Sequence, residues 1–353
     1  MDARSILKED AYTIANSRID WDKLSGKAVM ISGATGYVPQ YIVHGIMRHN
    51  DLFNSNIKVV ALCRNKEKAI VRFSEYMERN DFQIIIQDIL AEINYNEKID
   101  YIIHAASPAG SADCNVDKLM TFDVNVEGCR NLLKLARKNN AVFMLFSSID
   151  VYGKGEGKRF TEDYSGSLDP SSARFVYASA KRAAEVLCLC YSQKGVITKI
   201  IRPTQIMGGG IDLDDGRLHI DMISQIKANS EIVLKGDGTP VRSFIYITDA
   251  IIAILTVLTK GGSGQAYNIC NENNEASVLQ LAEAMSECAS DNIKVSYNLK
   301  TRNEDPAVLF APSVSIESWD KICSLGWRPE VDLKNSCKRM MNYYGIETTP
   351  VYQ

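Results

Sequence analysis

Tyr177 and Lys181, four residues apart in the stretch Phe175-Val-Tyr-Ala-Ser-Ala-Lys181, are the pair in this sequence best suited to acid–base chemistry. On a helix, residues four apart share a face, so the ammonium can lie beside the phenol and favour its ionised form. A phenol that ordinarily titrates near ~10 then becomes a base that works close to neutrality. Alone, Tyr-x-x-x-Lys is ordinary helix surface. Two other features raise its weight: the glycine turn Gly33-Ala-Thr-Gly36 and the serine pair Ser147-Ser148 at the end of an apolar run. Glycines in such a turn allow close backbone approach, so the amides opening the next helix can face a diphosphate. A serine pair at a strand end caps a turn by default; Tyr177 downstream makes Ser148 a candidate to hold a substrate hydroxyl. Together these features indicate an oxidoreductase core with a nicotinamide cofactor.

The elements that must position these groups alternate strand and helix. Residues 28–32, 57–62, 82–86, 101–105, 142–147 and 198–202 read as short apolar strands, and helices fit between them, with helical apolar spacing at 41–47. Such alternation predicts an α/β fold, a Rossmann-type doubly wound parallel sheet covered on both faces. Residues 1–26 read as an N-terminal helical extension packed on the outside, without chemistry. Residues 27–205 form the dinucleotide-binding domain that carries Ser148, Tyr177 and Lys181. Beyond Gln205 the pattern loosens, with Gly208 to Gly210, 214–217 and 235–240 marking loops. Residues 206–353 are therefore expected to be mainly a smaller C-terminal α/β substrate-binding cap, with segment 242–270 returning to the Rossmann sheet and helical spacing at 249–258 and 278–285.

Composition narrows the partners. At 353 residues, 46% hydrophobic and 24% charged, the chain can build a real core. A net charge of -3 and a pI near 5.9 argue against nucleic acid. No apolar run approaches the ~20 residues of a bilayer span, and the first ten residues lack a signal-peptide core, so no membrane partner and a cytoplasmic location are expected. The nine cysteines show no C-x-x-C spacing; Cys63, Cys188, Cys190 and Cys270 read as small buried hydrophobes in a reducing compartment. Histidines 44, 49, 104 and 219 show no metal-ligand spacing, so no metal site is expected.

Two details bear on the cofactor. The third glycine of the usual dinucleotide fingerprint is Pro39, which a first helical turn tolerates because its amide would lack an intrahelical partner. The second strand ends Leu62-Cys63-Arg64-Asn65 rather than in a carboxylate for the adenosine 2'-hydroxyl. Arg64 either pairs with a 2'-phosphate, favouring NADP, or is a solvated charge. NAD and NADP stand nearly even, with NAD slightly ahead.

With these pieces placed, the sequence resembles the extended short-chain dehydrogenase/reductases, specifically the NAD-dependent epimerase/dehydratase family of nucleotide-sugar enzymes, over about residues 27–333. The matching motifs are Gly33-Ala-Thr-Gly36, Gln87-Asp88-Ile89, His104-Ala-Ala-Ser107, Asn125-Val-Glu-Gly-Cys-Arg-Asn131, Ser147-Ser-Ile-Asp-Val-Tyr-Gly153, Tyr177-Ala-Ser-Ala-Lys181, Arg202-Pro203 and Arg242-Ser-Phe-Ile-Tyr-Ile-Thr-Asp249. The resemblance implies a tightly held NAD(P) contacted by Gly33, Thr35, Gly36, Tyr37, Val38 and Arg64, by Asp88 and Ile89, and by Ala105, Ala106, Ser107 and Asn125. Ser147, Tyr177, Lys181, Arg202 and Pro203 complete that set, although Arg202, read by itself, fixes backbone or a carboxylate. For catalysis it implies Tyr177 as base, Lys181 as its activator and Ser148 as the hydroxyl's holder, with a 4-keto sugar as the common intermediate. It assigns the nucleotide sugar to Ser148, Gln205, Arg217, Arg242 and Tyr246, and places Tyr246 and Asp249 on a segment that closes the nucleotide site. His104 reads as strand-end packing and not as a base.

The branch of the family is legible at one turn. Where 4,6-dehydratases carry Thr-Asp-Glu, this chain has Ser148-Ile149-Asp150, so the acid that would protonate a leaving hydroxyl is absent. Decarboxylases carry Ser-Glu there, and Ala106 to Ala109 and Asp215-Gly-Arg217 look similar to theirs; but Gln205 replaces a usual Asn, and 305–312 lacks an arginine common to both groups. A 4-epimerase needs only Ser148, Tyr177 and Lys181. Epimerisation is thus expected first, decarboxylation second and dehydration third, with an NADPH-consuming 4-ketoreductase and a non-catalytic dinucleotide-binding regulator as further readings. Asp150 is either a strand-end hydrogen-bonding residue or, if it faces the sugar, the group for proton transfer at C5. The helix around 124–135, with the Tyr177 helix, implies a homodimer; a monomer covering these faces with its cap is the alternative.

Overall fold

The computed structural model describes residues 3–108, 117–153, 159–229, 231–290, 293–298 and 314–349. Its centre is a seven-stranded, wholly parallel sheet of β1 (Ala28–Ser32), β2 (Lys58–Cys63), β3 (Phe82–Ile86), β4 (Tyr101–His104), β5 (Val142–Phe146), β6 (Thr198–Pro203) and β10 (Gln265–Ile269). The spatial order is β10-β6-β5-β4-β1-β2-β3. All five residues of β1 are buried, because a parallel strand covered on both faces needs a continuous apolar run. The order reverses between β1 and β4, and at the carboxyl ends of such a pair a dinucleotide finds its crevice.

One face is covered by α1 (Ala3–Ala15), α2 (Tyr37–Phe53), α3 (Lys66–Arg72) and α7 (Ile247–Lys260), whose apolar residues join those of β1 and β2 in the larger core. The other face carries α4 (Lys118–Asn139) and α5 (Val176–Ser192), which pack on each other and on β4 to β6. Between β3 and β4 the expected helix is missing. Residues 87–100 cross as an irregular segment whose Ile89, Ile93, Tyr95 and Ile99 plug the core instead. Apolar anchors at that uneven spacing cannot all lie on one helical stripe.

The C-terminal part holds a second sheet, in which β9 (Val241–Tyr246) pairs with β7 (Gln205–Met207), β11 (Glu275–Ser277) and β13 (Val314–Ser315), and a two-stranded one of β8 (Glu231–Leu234) and β12 (Lys294–Tyr297). Helices α6 (Leu218–Asn229), α8 (Val278–Cys288) and α10 (Leu333–Tyr343) close a separate apolar core around them; a short α9 (Asp320–Cys323) lies beside β10. The segment 242–270 is therefore split: β9 stays in the second sheet, while α7 and β10 belong to the main one.

The N-terminal extension is clamped rather than merely apposed. Ile14 lies so close to α2 that a Cβ on Gly45 would come within 2.5 Å of its Cγ2. Asp10 of α1, fully buried, accepts hydrogen bonds from the Tyr246 hydroxyl at 3.0 Å and from Arg339 at 2.7 Å. Of the four cysteines read as buried, Cys190 is exposed, on the outer side of α5.

Candidate active site

The glycine turn is shaped by contact. Gly33 has φ +67°, and a Cβ on it would sit 2.7 Å from the Cα of Ala106, so no larger residue lets β1 and the β4 end approach this way. Beneath it, buried His104 pairs its Nδ1 with the Ser32 hydroxyl at 2.9 Å, and the Ser32 oxygen also accepts from the Ala106 amide at 3.3 Å. Burial, helped by the Lys181 charge, holds His104 down at about 3, so it stays neutral. Gly36 caps α2 with no side chain, and Pro39 takes the third helical position. The amides of that first turn are thus presented without a covering side chain, as a diphosphate requires.

Thr35, Tyr37, Val38, Ala105, Ala106 and Ser107 lie half-buried around this turn. The Tyr37 hydroxyl turns toward Gly208, where a Cβ would be 2.7 Å away. Asn125 on α4 is buried, donates to the Thr121 carbonyl at 2.7 Å, and leaves its Oδ1 with no partner among the described residues. Arg64 is exposed past β2, beside Asn65, whose side chain caps α3 by accepting from the Lys68 amide at 2.7 Å. Asp88 accepts from the Leu90 amide at 2.9 Å. Ile89 turns its side chain into the core, 2.5 Å from where a Cβ on Gly128 would lie; its side chain is packing and not a cofactor contact.

The Ser148 turn, the candidate catalytic turn, follows β5. Ser148 caps the short helical turn Ile149–Tyr152, and its hydroxyl donates to Asp150 Oδ2 at 3.0 Å. Three residues of α5 grip this turn: Lys181 Nζ donates to the Phe146 carbonyl at 2.6 Å, Arg182 to the Val151 carbonyl at 2.7 Å, and Glu185 accepts the Ser147 hydroxyl at 2.5 Å. Buried Lys181 also lies 5.5 Å from the centre of the Tyr177 ring. Tyr177 itself is half-buried, one turn ahead of Lys181 on the same face. The turn and the Tyr177 helix are therefore held in one register by side chains of the chain itself.

Asp150 keeps an open surface while protein crowds its flanks. That desolvation raises its carboxyl above the usual range, opposed by the Ser148 hydrogen bond and by Arg242, Arg174 and Lys181. Arg242 is itself poorly solvated, and Glu317 and Asp150 are the charges that favour it. Arg174, absent from the sequence expectations, thus belongs to the same electrostatic group. Ile149, in contrast, is buried against Val151, Tyr152 and Phe160.

Several expected contacts lie elsewhere. Arg202 forks onto Glu185 at 2.7 and 3.0 Å and donates to the Tyr152 hydroxyl at 3.0 Å. Ser147 donates to the same carboxylate, so both residues take part in a buried network around Glu185. Pro203 ends β6 beside β10. Tyr246 is fully buried between Asp10 and Arg339, which takes it out of the substrate set. Asp249 accepts from the amides of Glu330 and Val331 at 3.1 and 2.9 Å, pinning the chain before α10 instead of closing a nucleotide site. Gln205 opens β7, half-buried. Arg217 pairs with Asp215 at 3.2 Å and lies over Tyr37, 5.8 Å from its ring centre. Ala109 and 305–312 fall outside the described residues. Glu185 was missed although its signal is plain: with Tyr177 and Lys181 it repeats every four residues, a charge inside an otherwise apolar stripe.

The family model described as NAD dependent epimerase/dehydratase matches residues 29–270. UDP-glucuronic acid decarboxylase 4 of Arabidopsis thaliana is 27% identical over 320 residues, covering 89% of this chain and 67% of its own. UDP-glucuronic acid decarboxylase 1 of Xenopus tropicalis is 26% identical over 322 residues, covering 91% and 73%. Among solved structures, UDP-glucose 4-epimerase of Thermotoga maritima superposes with a TM-score of 0.76 at 20% identity, covering 90% of this chain and 98% of that one. The dTDP-glucose 4,6-dehydratase of Bacillus anthracis, in complex with NAD, gives 0.73 at 20%, covering 91% and 97%. The structures share the fold; the family match spans the glycine turn, the catalytic turn and the Tyr177 helix together. The chain belongs to the NAD-dependent epimerase/dehydratase family.

Proposed function

We propose that this protein binds NAD(P) at the Gly33 turn and oxidises the C4 hydroxyl of a nucleotide sugar, most simply to invert that centre. The residues fit the cofactor: the amides after Gly36 and the close Gly33–Ala106 contact shape the glycine turn, and on α4 the buried Asn125 oxygen has no partner among the described residues. When bound, the nicotinamide supplies an acceptor for the C4 hydride and a donor for its return. Tyr177 takes the hydroxyl proton, Ser148 holds the oxygen, and the Lys181 ammonium stabilises the phenolate. The observation that carries this reading is the Lys181 position, between the Phe146 carbonyl and the Tyr177 ring.

Epimerisation needs nothing more than these three groups and a sugar that can present its other face. Water loss needs an acid where Ile149 is buried in apolar company. Decarboxylation is the second reading. Asp150 lies in the fields of Arg174 and Arg242, which could hold a sugar carboxylate, and the two relatives named above are UDP-glucuronic acid decarboxylases.

Incubation with UDP-, dTDP-, GDP- and CDP-sugars, neutral and uronic, with product masses read out, separates the outcomes. An epimer keeps its mass, a decarboxylase product loses carbon dioxide, and a ketoreductase consumes NADPH in stoichiometric amount. Tyr177→Phe is expected to slow turnover by about 10²-fold or more. Full activity in that variant, or no conversion across the panel by the wild type, overturns the proposal. We also assign the exposed Leu119 and Phe122 of α4 and Val186 and Leu189 of α5 to a homodimer interface. The apolar residues at 124, 132, 133 and 135, where the sequence suggested that stripe, are buried in the chain's own core.

A further inference from the structure

A cavity of about 580 Å³ lies between α1, the C-terminal half of α2 and the segment around the end of α3. That volume is within the ~300–1,000 Å³ of small-molecule sites. Arg48 is twelve residues along α2 from Gly36, so the cavity is roughly 18 Å from the glycine turn. Its walls are fixed: α1 is seated against Gly45, and His44 Nδ1 pairs with the Tyr76 hydroxyl at 2.7 Å.

Four cationic side chains line it, Arg4 and Lys8 from α1, Arg48 from α2 and Arg72 from α3. None of them has a carboxylate partner among the described residues. Arg48 makes instead a contact with the Tyr12 ring, 5.7 Å from its centre. The two acids in the lining do not balance them. Asp51 is engaged by Arg79 at 2.5 Å, and Glu75 lies 3.8 Å from the His44 ring. Burial and the Arg72 charge keep His44 neutral, near 4. In a chain of net charge -3, four like charges gathered in one concavity repel each other and attract multivalent anions.

We propose that this cavity binds a small molecule carrying two or more phosphate groups, at a site distinct from the glycine turn. The inference does not depend on which reaction the protein catalyses. Guanidinium groups are suited to such a ligand because their forks match phosphate oxygens.

Isothermal titration of the full chain with inorganic pyrophosphate and, separately, with ATP tests it. The wild type is expected to show binding that Arg48→Ala combined with Arg72→Ala weakens by tenfold or more, while Arg48→Lys combined with Arg72→Lys retains most of it. Binding left in the alanine variant belongs to the glycine turn. ATP binding tenfold tighter than pyrophosphate identifies a nucleotide; equal affinity identifies the phosphates alone. Should the alanine pair unfold, Lys8→Ala, on the exposed side of α1, replaces it with the same expectation. Superimposable isotherms for wild type and variant, or a wild type that binds neither probe, overturn the proposal.

Discussion

Tyr177, Lys181 and Glu185 form one stripe on α5, and each has a different task. Lys181 lies beside the Tyr177 ring, whereas Glu185 joins the Ser147 hydroxyl to the Arg202 guanidinium. Removing one member of a buried, hydrogen-bonded ion pair leaves an uncompensated charge. Glu185→Ala should therefore destabilise the protein by about 3–5 kcal/mol, measured by urea unfolding, and Glu185→Gln by clearly less. A loss under ~1 kcal/mol in Glu185→Ala would mean that the network is ornamental. The proposed catalytic residues Ser148, Tyr177 and Lys181 were legible because their types are rare in combination. Arg174 and Glu185 were not, because their roles arise from what the fold brings beside them: Arg174 is 24 residues from Asp150 in sequence, and Glu185 is 38 from Ser147. Tyr246 was misplaced for the same reason, since its partners Asp10 and Arg339 come from the two ends of the chain.

At the scale of elements, strands announced themselves and their sheet did not. Apolar runs located β1 to β6, but whether a run joins the main sheet or a neighbouring one is settled by pairing, which is why β9 and β10 separate. Helix α1 shows how an element without chemistry is still held by a specific group. Burial raises the Asp10 carboxyl to about 6 despite Arg339 and Tyr246, with Glu9 also raising it. A carboxyl whose folded pKa lies above its unfolded value of 3.8 contributes stability that is fully present below that value and is lost as pH rises through about 6. The span corresponds to roughly 3 kcal/mol. Asp249, also raised to about 6 by burial, titrates in the same window, so the wild type alone cannot separate the two. The difference does: the melting temperature of Asp10→Asn relative to wild type should rise between pH 4.5 and pH 7.5. A difference that stays flat across this range refutes the Asp10 assignment.

At the scale of the whole molecule, the question is what covers the outer faces of α4 and α5. Leu119 is 80% and Val186 56% exposed, and exposed apolar side chains on two helices that pack against each other mark a candidate association surface. A two-fold axis would set this patch against its own copy, so light scattering should give twice the chain's 39.3 kDa. Val186→Glu combined with Leu119→Glu should halve that mass, because charges directly apposed at the centre of a self-complementary interface repel and cannot be solvated. A wild type that is already monomeric ends this argument. Catalysis is expected to survive the change. Helix α5 carries Tyr177 and lies at the proposed interface, yet its register against the catalytic turn is set within one chain, by Lys181 on Phe146, Arg182 on Val151 and Glu185 on Ser147. The monomeric variant should thus keep turnover within about tenfold of wild type, since ~1.4 kcal/mol is the most that loosened packing would remove from a base fixed at three points. Complete loss of turnover in a folded monomer would instead mean that the partner subunit, and not those three hydrogen bonds, holds Tyr177 in place.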